Sequence, residues 1–175
     1  TTDDLTDLAA GVYSLTLTDG NGCTKSISFT VTQPSQAIDI SLTPTDVTCS
    51  GAANGSITSL VTGGTSPYTY AWSNGAVTAN VSGLSAGNYI LSVTDGNGCL
   101  AVDSAAVSAP AALVATITGT DVSCFGGNDG SADLSVTGGN VPYNYFWSTF
   151  EFTEDIANLT AGNYDVTVLD ANNCS

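Results

Sequence analysis

Short runs in which apolar and polar residues alternate recur along the whole chain, and no stretch carries a helical period. Between Pro34 and Pro110 the pattern predicts strands over 37–43 (AIDISLT), 56–62 (SITSLVT), 68–73 (YTYAWS), 78–84 (TANVSGL), 89–95 (YILSVTD) and 100–108 (LAVDSAAVS). Gly, Pro and Asn-Gly turns divide them. Strand signals at this spacing predict an antiparallel sandwich of about seven strands. Alternation also assigns the faces: Tyr89, Leu91 and Val93 share one side of their strand and belong in a core, as do Tyr13, Leu15 and Leu17, and Tyr164, Val166 and Val168. Between them stand Ser14, Thr16, Ser92, Asp165 and Thr167, which face solvent.

The pattern returns in register. LAAGVYSLTLTDGNGC (8–23), LSAGNYILSVTDGNGC (84–99) and LTAGNYDVTVLDANNC (159–174) are three copies of one segment, offset by 76 and 75 residues. GGTSPYTYAWSNG (63–75) comes back as GGNVPYNYFWSTF (138–150), and Cys49 and Cys124 lie 75 apart. The chain therefore divides into the C-terminal half of a repeat (1–34), a complete repeat (35–110) and a repeat lacking its last strand (111–175), about 75 residues per repeat, and is expected to be a window on a longer tandem array. The fold class is all-β: tandem antiparallel sandwiches. Pro34 and Pro110 mark the joints, where a residue without an N–H breaks ladder continuity yet keeps the chain extended. Neighbouring sandwiches are expected to sit nearly end to end with little freedom.

Charge narrows the partners. Sixteen acidic residues face one base, Lys25, giving a net charge of −15. Such a surface repels phosphate backbones and anionic lipid, which argues against nucleic-acid partners. No run is long and apolar enough to span a bilayer, and no secretory signal is visible over 1–20. With no His there is no Ser-His-Asp or Cys-His unit, and no phosphate-binding GK[ST] loop occurs. Carboxylate-pair hydrolysis needs only acids, and Glu151, Glu154 and Asp155 replace Ala76, Ala79 and Asn80 of the preceding copy. On an otherwise retained frame these read as a variable solvated loop and not as a catalytic pair.

The five cysteines suggest disulfides, since neither CxxC spacing nor basic neighbours favour metal or reactive thiols. The first choice pairs Cys49 with Cys99 and Cys124 with Cys174, each 50 residues apart inside one repeat, and leaves Cys23 a partner outside the chain. Closing a loop of that size stabilises by about 4 kcal/mol through lost unfolded-state entropy. Bridges between neighbouring repeats leave the same odd count, so spacing does not fix connectivity. Either pairing implies an oxidising, extracytoplasmic setting.

The TDGNGC turn (94–99) reads first as a hairpin in which Asn-Gly supplies positive φ angles. It also offers oxygen ligands for calcium: Asp95 and Asn97, with Asp46 drawn to the same end by a bridge within the repeat, and Asp121, Asp170 and Asn172 as the counterparts. No cofactor is expected, calcium being the one for which these residues leave room. Tyr68, Tyr70 and Trp72 alternate onto one face, as a bulky filler between sheets or as a sugar platform.

The order Cys, then NGSI or DGSA, then GG..PY.Y.WS, then L.AG.Y...V.D.N.C and a Pro resembles the SprB-type repeat of very large cell-surface adhesins in Bacteroidota. It is also similar, more distantly, to PKD and immunoglobulin-like sandwiches, with WDFGDG reduced here to WSNG (72–75) and WSTF (147–150). The resemblance implies a secreted, surface-anchored filament module exported by the type IX route, carried along the cell during gliding in some relatives. It points to neighbouring repeats as the first partners and to other filament chains or surface glycans beyond them. DSA (103–105) resembles an acceptor for O-glycosylation in that group, with Ser104 as the site. A carbohydrate-binding module using the Tyr/Trp face is the alternative.

Overall fold

Hairpin turns and alternating strands leave no room for helix: the structure, a computed structural model describing residues 4–34 and 36–175, is all strand and loop over those residues. The middle unit runs β3 (Asp39–Thr45), β4 (Gly55–Thr62), β5 (Thr69–Trp72), β6 (Val81–Leu84), β7 (Gly87–Thr94) and β8 (Leu100–Val107). Two antiparallel three-stranded sheets form, in the orders β3-β4-β6 and β5-β7-β8. The unit has six strands where the spacing predicts about seven. Before it stand β1 (Gly11–Thr18) and β2 (Thr24–Val31), and after it β9 (Val114–Thr120), β10 (Gly130–Thr137), β11 (Asn144–Trp147), β12 (Ile156–Leu159) and β13 (Val166–Leu169).

Inward positions of both sheets make the middle core: Ile57, Trp72, Val81, Leu84, Leu91, Val93 and Val107 pack as one cluster with Val47. Leu91 and Val93 are fully buried and Tyr89 half-buried against them, as alternation predicts. The downstream unit repeats the scheme around Leu134, Trp147, Ile156 and Val168, in sheets β9-β10-β12 and β11-β13. Its β13 is four residues long where β7 has eight. The difference has a local cause, because β7 pairs along its whole length with β8 and β13 has only β11 beside it.

The expected core of the upstream half-repeat is not buried. Leu15 and Leu17 are 53% and 57% exposed, with Ile27 and Phe29 equally open on the facing strand. β1 and β2 pair in full register, but among the described residues no second sheet faces this ribbon. Strand formation is written in the local pattern; burial needs the second layer.

Two glycines at the start of the duplicated stretch are fixed by the backbone. Gly63 (φ 70°) and Gly64 (φ 62°) turn the chain, and a Cβ on Gly63 would stand 1.9 Å from the Ala37 carbonyl oxygen. Gly138 is held in the same way, 1.9 Å from the Ala112 oxygen. The Tyr68 hydroxyl closes the turn by donating to the Gly63 carbonyl, and Tyr143 does so to Gly138 at 2.5 Å. Gly63→Ala combines a disfavoured φ with a backbone clash and is expected to cost about 2–4 kcal/mol. Leu91→Ala is expected to cost about 2–5 kcal/mol, against less than about 1 kcal/mol for Leu15→Ala at the same motif position. Urea unfolding of the three variants checks the order; equal losses at Leu91 and Leu15 would contradict the missing-layer account.

Candidate functional site

The TDGNGC turn is built around one carboxylate. Asp95 Oδ1 accepts from the backbone N–H of Asn97 and of Cys99, both at 2.9 Å, and Oδ2 accepts from that of Thr65, at 2.9 Å. Asp170 repeats the set with Asn172, Cys174 and Asn140. Asp95 and Asp170 are the buried polar residues of the two units, 6% and 1% exposed. Burial alone pushes both carboxyls upward, but the backbone N–H groups of Cys99, Thr65 and Asn97, and of Cys174, Asn140 and Asn172, outweigh it. Both acids therefore sit below the ordinary aspartate range. Asp19, in the ribbon, keeps the two bonds within its turn, and among the described residues no third donor reaches it. The carboxylate thus fastens the last hairpin of a unit to its GG loop.

The opposite end of the unit carries the loop between β3 and β4. Asn54 Oδ1 accepts from Thr48 N–H at 3.1 Å, and Cys49 sits on the loop so formed. In the downstream unit Asp129 takes the place of Asn54, accepting from Ser123 N–H at 3.0 Å. The loop also grips the outgoing chain: Ser108 N–H donates to Asp46 Oδ1 at 2.7 Å, and Val47 N–H to the Ser108 carbonyl at 3.1 Å.

This placement overturns the expected pairing. Cys49 is bonded to Cys174, across the two units and 125 residues apart in sequence, with Cα atoms 5.7 Å apart. Cys99 and Cys124 are free and exposed, as is Cys23. The reason is the length of β8. Ser108, at its end, touches the loop of Cys49, whereas Cys99 immediately precedes its start, so the two cysteines of one unit are separated by roughly 23 Å of strand. A disulfide needs Cα atoms within about 7 Å. The bonded pair is instead the downstream end of one unit meeting the upstream end of the next.

The same geometry divides the suggested calcium ligands. Asp46 lies at the downstream end of its unit with Ser108, and Asp95 and Asn97 lie at the upstream end. Asp121 follows β9 at the end away from Gly139 and Asp170, so Asp170 and Asn172 are equally remote from it. Among the described residues no three metal-ligating side chains gather. What does gather at the junction is hydrogen bonding. Asn172 Nδ2 donates to the Thr48 carbonyl across the two units at 3.0 Å, and Gly139 N–H to the Ala111 carbonyl at 2.9 Å. Between the bonded Ser108 and the bonded Ala111 only Ala109 and Pro110 remain.

The duplicated aromatic stretch faces inward. Trp72 and Trp147 are each 4% exposed, and their indole N–H groups donate to the carbonyls of Thr78 at 2.9 Å and Thr153 at 3.0 Å. Tyr68 and Tyr70 pack against the same core, so the ring faces fill the space between sheets. Of the substituted acids, Asp155 braces its loop by accepting from Leu134 N–H, as Asn80 does from Ser59 N–H. Glu154 lies against Tyr145, whose hydroxyl burial and the neighbouring carboxylate push up in pKa. Glu151 and Ser104 are exposed.

A carboxyl whose native pKa lies below its unfolded value of about 3.9 contributes stability that is present above that value and lost as pH falls through the native pKa. The melting temperature is expected to drop on acidification below about pH 4. Asp170→Asn places an amide against three N–H donors, so it should lower stability at neutral pH and flatten the acid limb. An acid limb of unchanged slope in thermal melts of the variant would refute the linkage.

One family matches the chain: SprB repeat, over residues 41–77 and 116–152, each running from β3 or β9 through the duplicated aromatic stretch. No curated protein shows significant similarity to the chain. The two matched segments start 75 residues apart, at equivalent positions of the two sandwiches, so the structural repeat and the family repeat coincide. Two tandem segments of the chain, one in each sandwich, match the SprB repeat.

Proposed function

We propose that the chain is a structural stalk module of a secreted cell-surface adhesin, in which disulfide-joined sandwiches make a stiff spacer. SprB repeats are a structural repeat and not an enzyme family, which sets the general class. The observation that carries the finer reading is the Cys49–Cys174 bond, because it spends a covalent link on the relation between units and none inside a unit. Linker residues bonded at Ser108 and Ala111 leave little slack in the same joint. Buried tryptophans favour this reading over a sugar platform.

A stiff joint makes a measurable claim. Residual dipolar couplings from the middle and downstream units of the oxidised chain should fit one alignment tensor. After reduction, or in Cys49→Ser, two tensors of unequal magnitude should be required, while the near-UV circular dichroism of Trp72 and Trp147 is retained. Two tensors in the oxidised chain would overturn the stiff-spacer reading.

A further inference from the structure

The Cys174 end of the downstream unit is a pocket of about 380 Å³ lined by Ala111, Ala112, Leu113, Gly139 and Asp170, and Cys49 and Ser50 of the preceding unit close it. The middle unit has the same pocket at the equivalent residues. There Gln36, Ala37, Ile38, Gly64 and Asp95 surround about 390 Å³, with Cys99 on the wall where Cys174 stands in its twin, and Gln33 and Pro34 of the incoming linker line it as well. The frame is the same in both: Gly64 N–H donates to the Gln36 carbonyl at 2.9 Å, as Gly139 does to Ala111. Asp95 fixes the position of Cys99 as Asp170 fixes that of Cys174.

The complementary part is also duplicated. In the downstream unit the loop of Cys124 already has the shape of the bonded Cys49 loop: Gly127 N–H donates to the Cys124 carbonyl at 2.9 Å, as Ala52 does to Cys49 at 3.0 Å. Asp129 holds Ser123 as Asn54 holds Thr48. Beside Cys124, Phe125 is completely exposed, an apolar side chain where Ser50 of the bonded loop meets a pocket.

The geometry points to a socket-and-plug rule: the pocket at Cys99 receives the first-cysteine loop of the repeat before it, and the Cys124 loop enters the pocket of the repeat after it, each sealed by a disulfide. This rests on the stalk reading, in which the 1–34 ribbon belongs to such a preceding repeat. Forming each bond removes two protons and two electrons from two thiols. A disulfide oxidant, either a small-molecule disulfide or an oxidised protein dithiol, supplies the balance: one protein thiolate displaces a thiolate from it, and the second protein thiolate then attacks the mixed disulfide, so the oxidant leaves as two thiols. The Asn97 amide donates to Thr65 Oγ1 at 3.0 Å, whereas its counterpart Asn172 donates across the junction to the Thr48 carbonyl.

The test is a disulfide map of the native full-length polypeptide, alkylated before unfolding, digested without reduction and read by mass spectrometry. Expected are Cys49–Cys174, Cys99 bonded to a cysteine of the preceding repeat and Cys124 to one of the following repeat, with neither alkylated. In the 175-residue chain alone Cys23, Cys99 and Cys124 should all be alkylated while Cys49–Cys174 stays intact, also in Cys99→Ser. A Cys49–Cys99 or Cys124–Cys174 bond, or alkylated Cys99 or Cys124 in the native polypeptide, would overturn the rule. The map reads connectivity and the dipolar couplings read stiffness, so a flexible but correctly bonded array would defeat the stalk reading alone.

Discussion

Between Leu100 and Val107 the chain runs straight for the length of β8, and that run separates the turn holding Cys99 from the loop holding Cys49. A strand cannot shorten without losing its ladder to β7, which pairs residue by residue from Gly87↔Val107 to Thr94↔Leu100. Cross-linking within the unit is therefore closed off by sheet geometry, and covalent stabilisation is available only at the ends. Each unit must hold itself together by its inter-sheet core and by the Asp95 or Asp170 brace. The disulfide then acts on the relation between units, where a short linker alone would leave rotation.

Much of this was legible in the residues. Three copies of the L.AG.Y segment located the repeat, and alternation placed Leu91, Val93 and Val168 inside correctly. Connectivity was not legible, because a separation of 50 residues says nothing about which end of a sandwich each cysteine occupies. Strand counting points the wrong way: four strands, β4 to β7, lie between the two cysteines, and an even number of alternating passes would return to the same end. They fall at opposite ends because the short β5 and β6 both run toward the Cys49 loop, which only the assembled sheets show. The role of Asp95 was half visible. An Asp before Asn-Gly announces a turn, but its third donor, Thr65, lies 30 residues away and belongs to tertiary structure.

The three copies separate local from tertiary causes. All three keep the Asp-capped turn, since Asp19, Asp95 and Asp170 each accept from the residues two and four places on. Only the two with a GG loop nearby bury that carboxylate, and only the two with a full-length strand beside them, β2 or β8, extend the segment to eight residues. Hairpin chemistry is written in six residues; the core and the long ladder require the neighbours to be present.

The charge balance explains why the brace takes the form it does. With Lys25 as the only cation, on the exposed ribbon, an acid in either unit cannot be compensated by an ion pair with its own Lys or Arg. Backbone N–H groups do the work, three at each buried aspartate, and they are neutral, pre-placed by the fold and indifferent to the sign of the surface. The same shortage acts at the junction. Ends that carry Asp46 and Asp170 meet under a net charge of −15, and that repulsion is screened only beyond a Debye length of about 8 Å at physiological salt. Asp46 and Asp170 are tied to the backbone of their own units, leaving Asn172 to Thr48 as a neutral contact and the disulfide as the bond that holds. Two acidic units can therefore keep their sides apart from other acidic surfaces while the ends that meet stay joined, because the Cys49–Cys174 bond does not depend on charge.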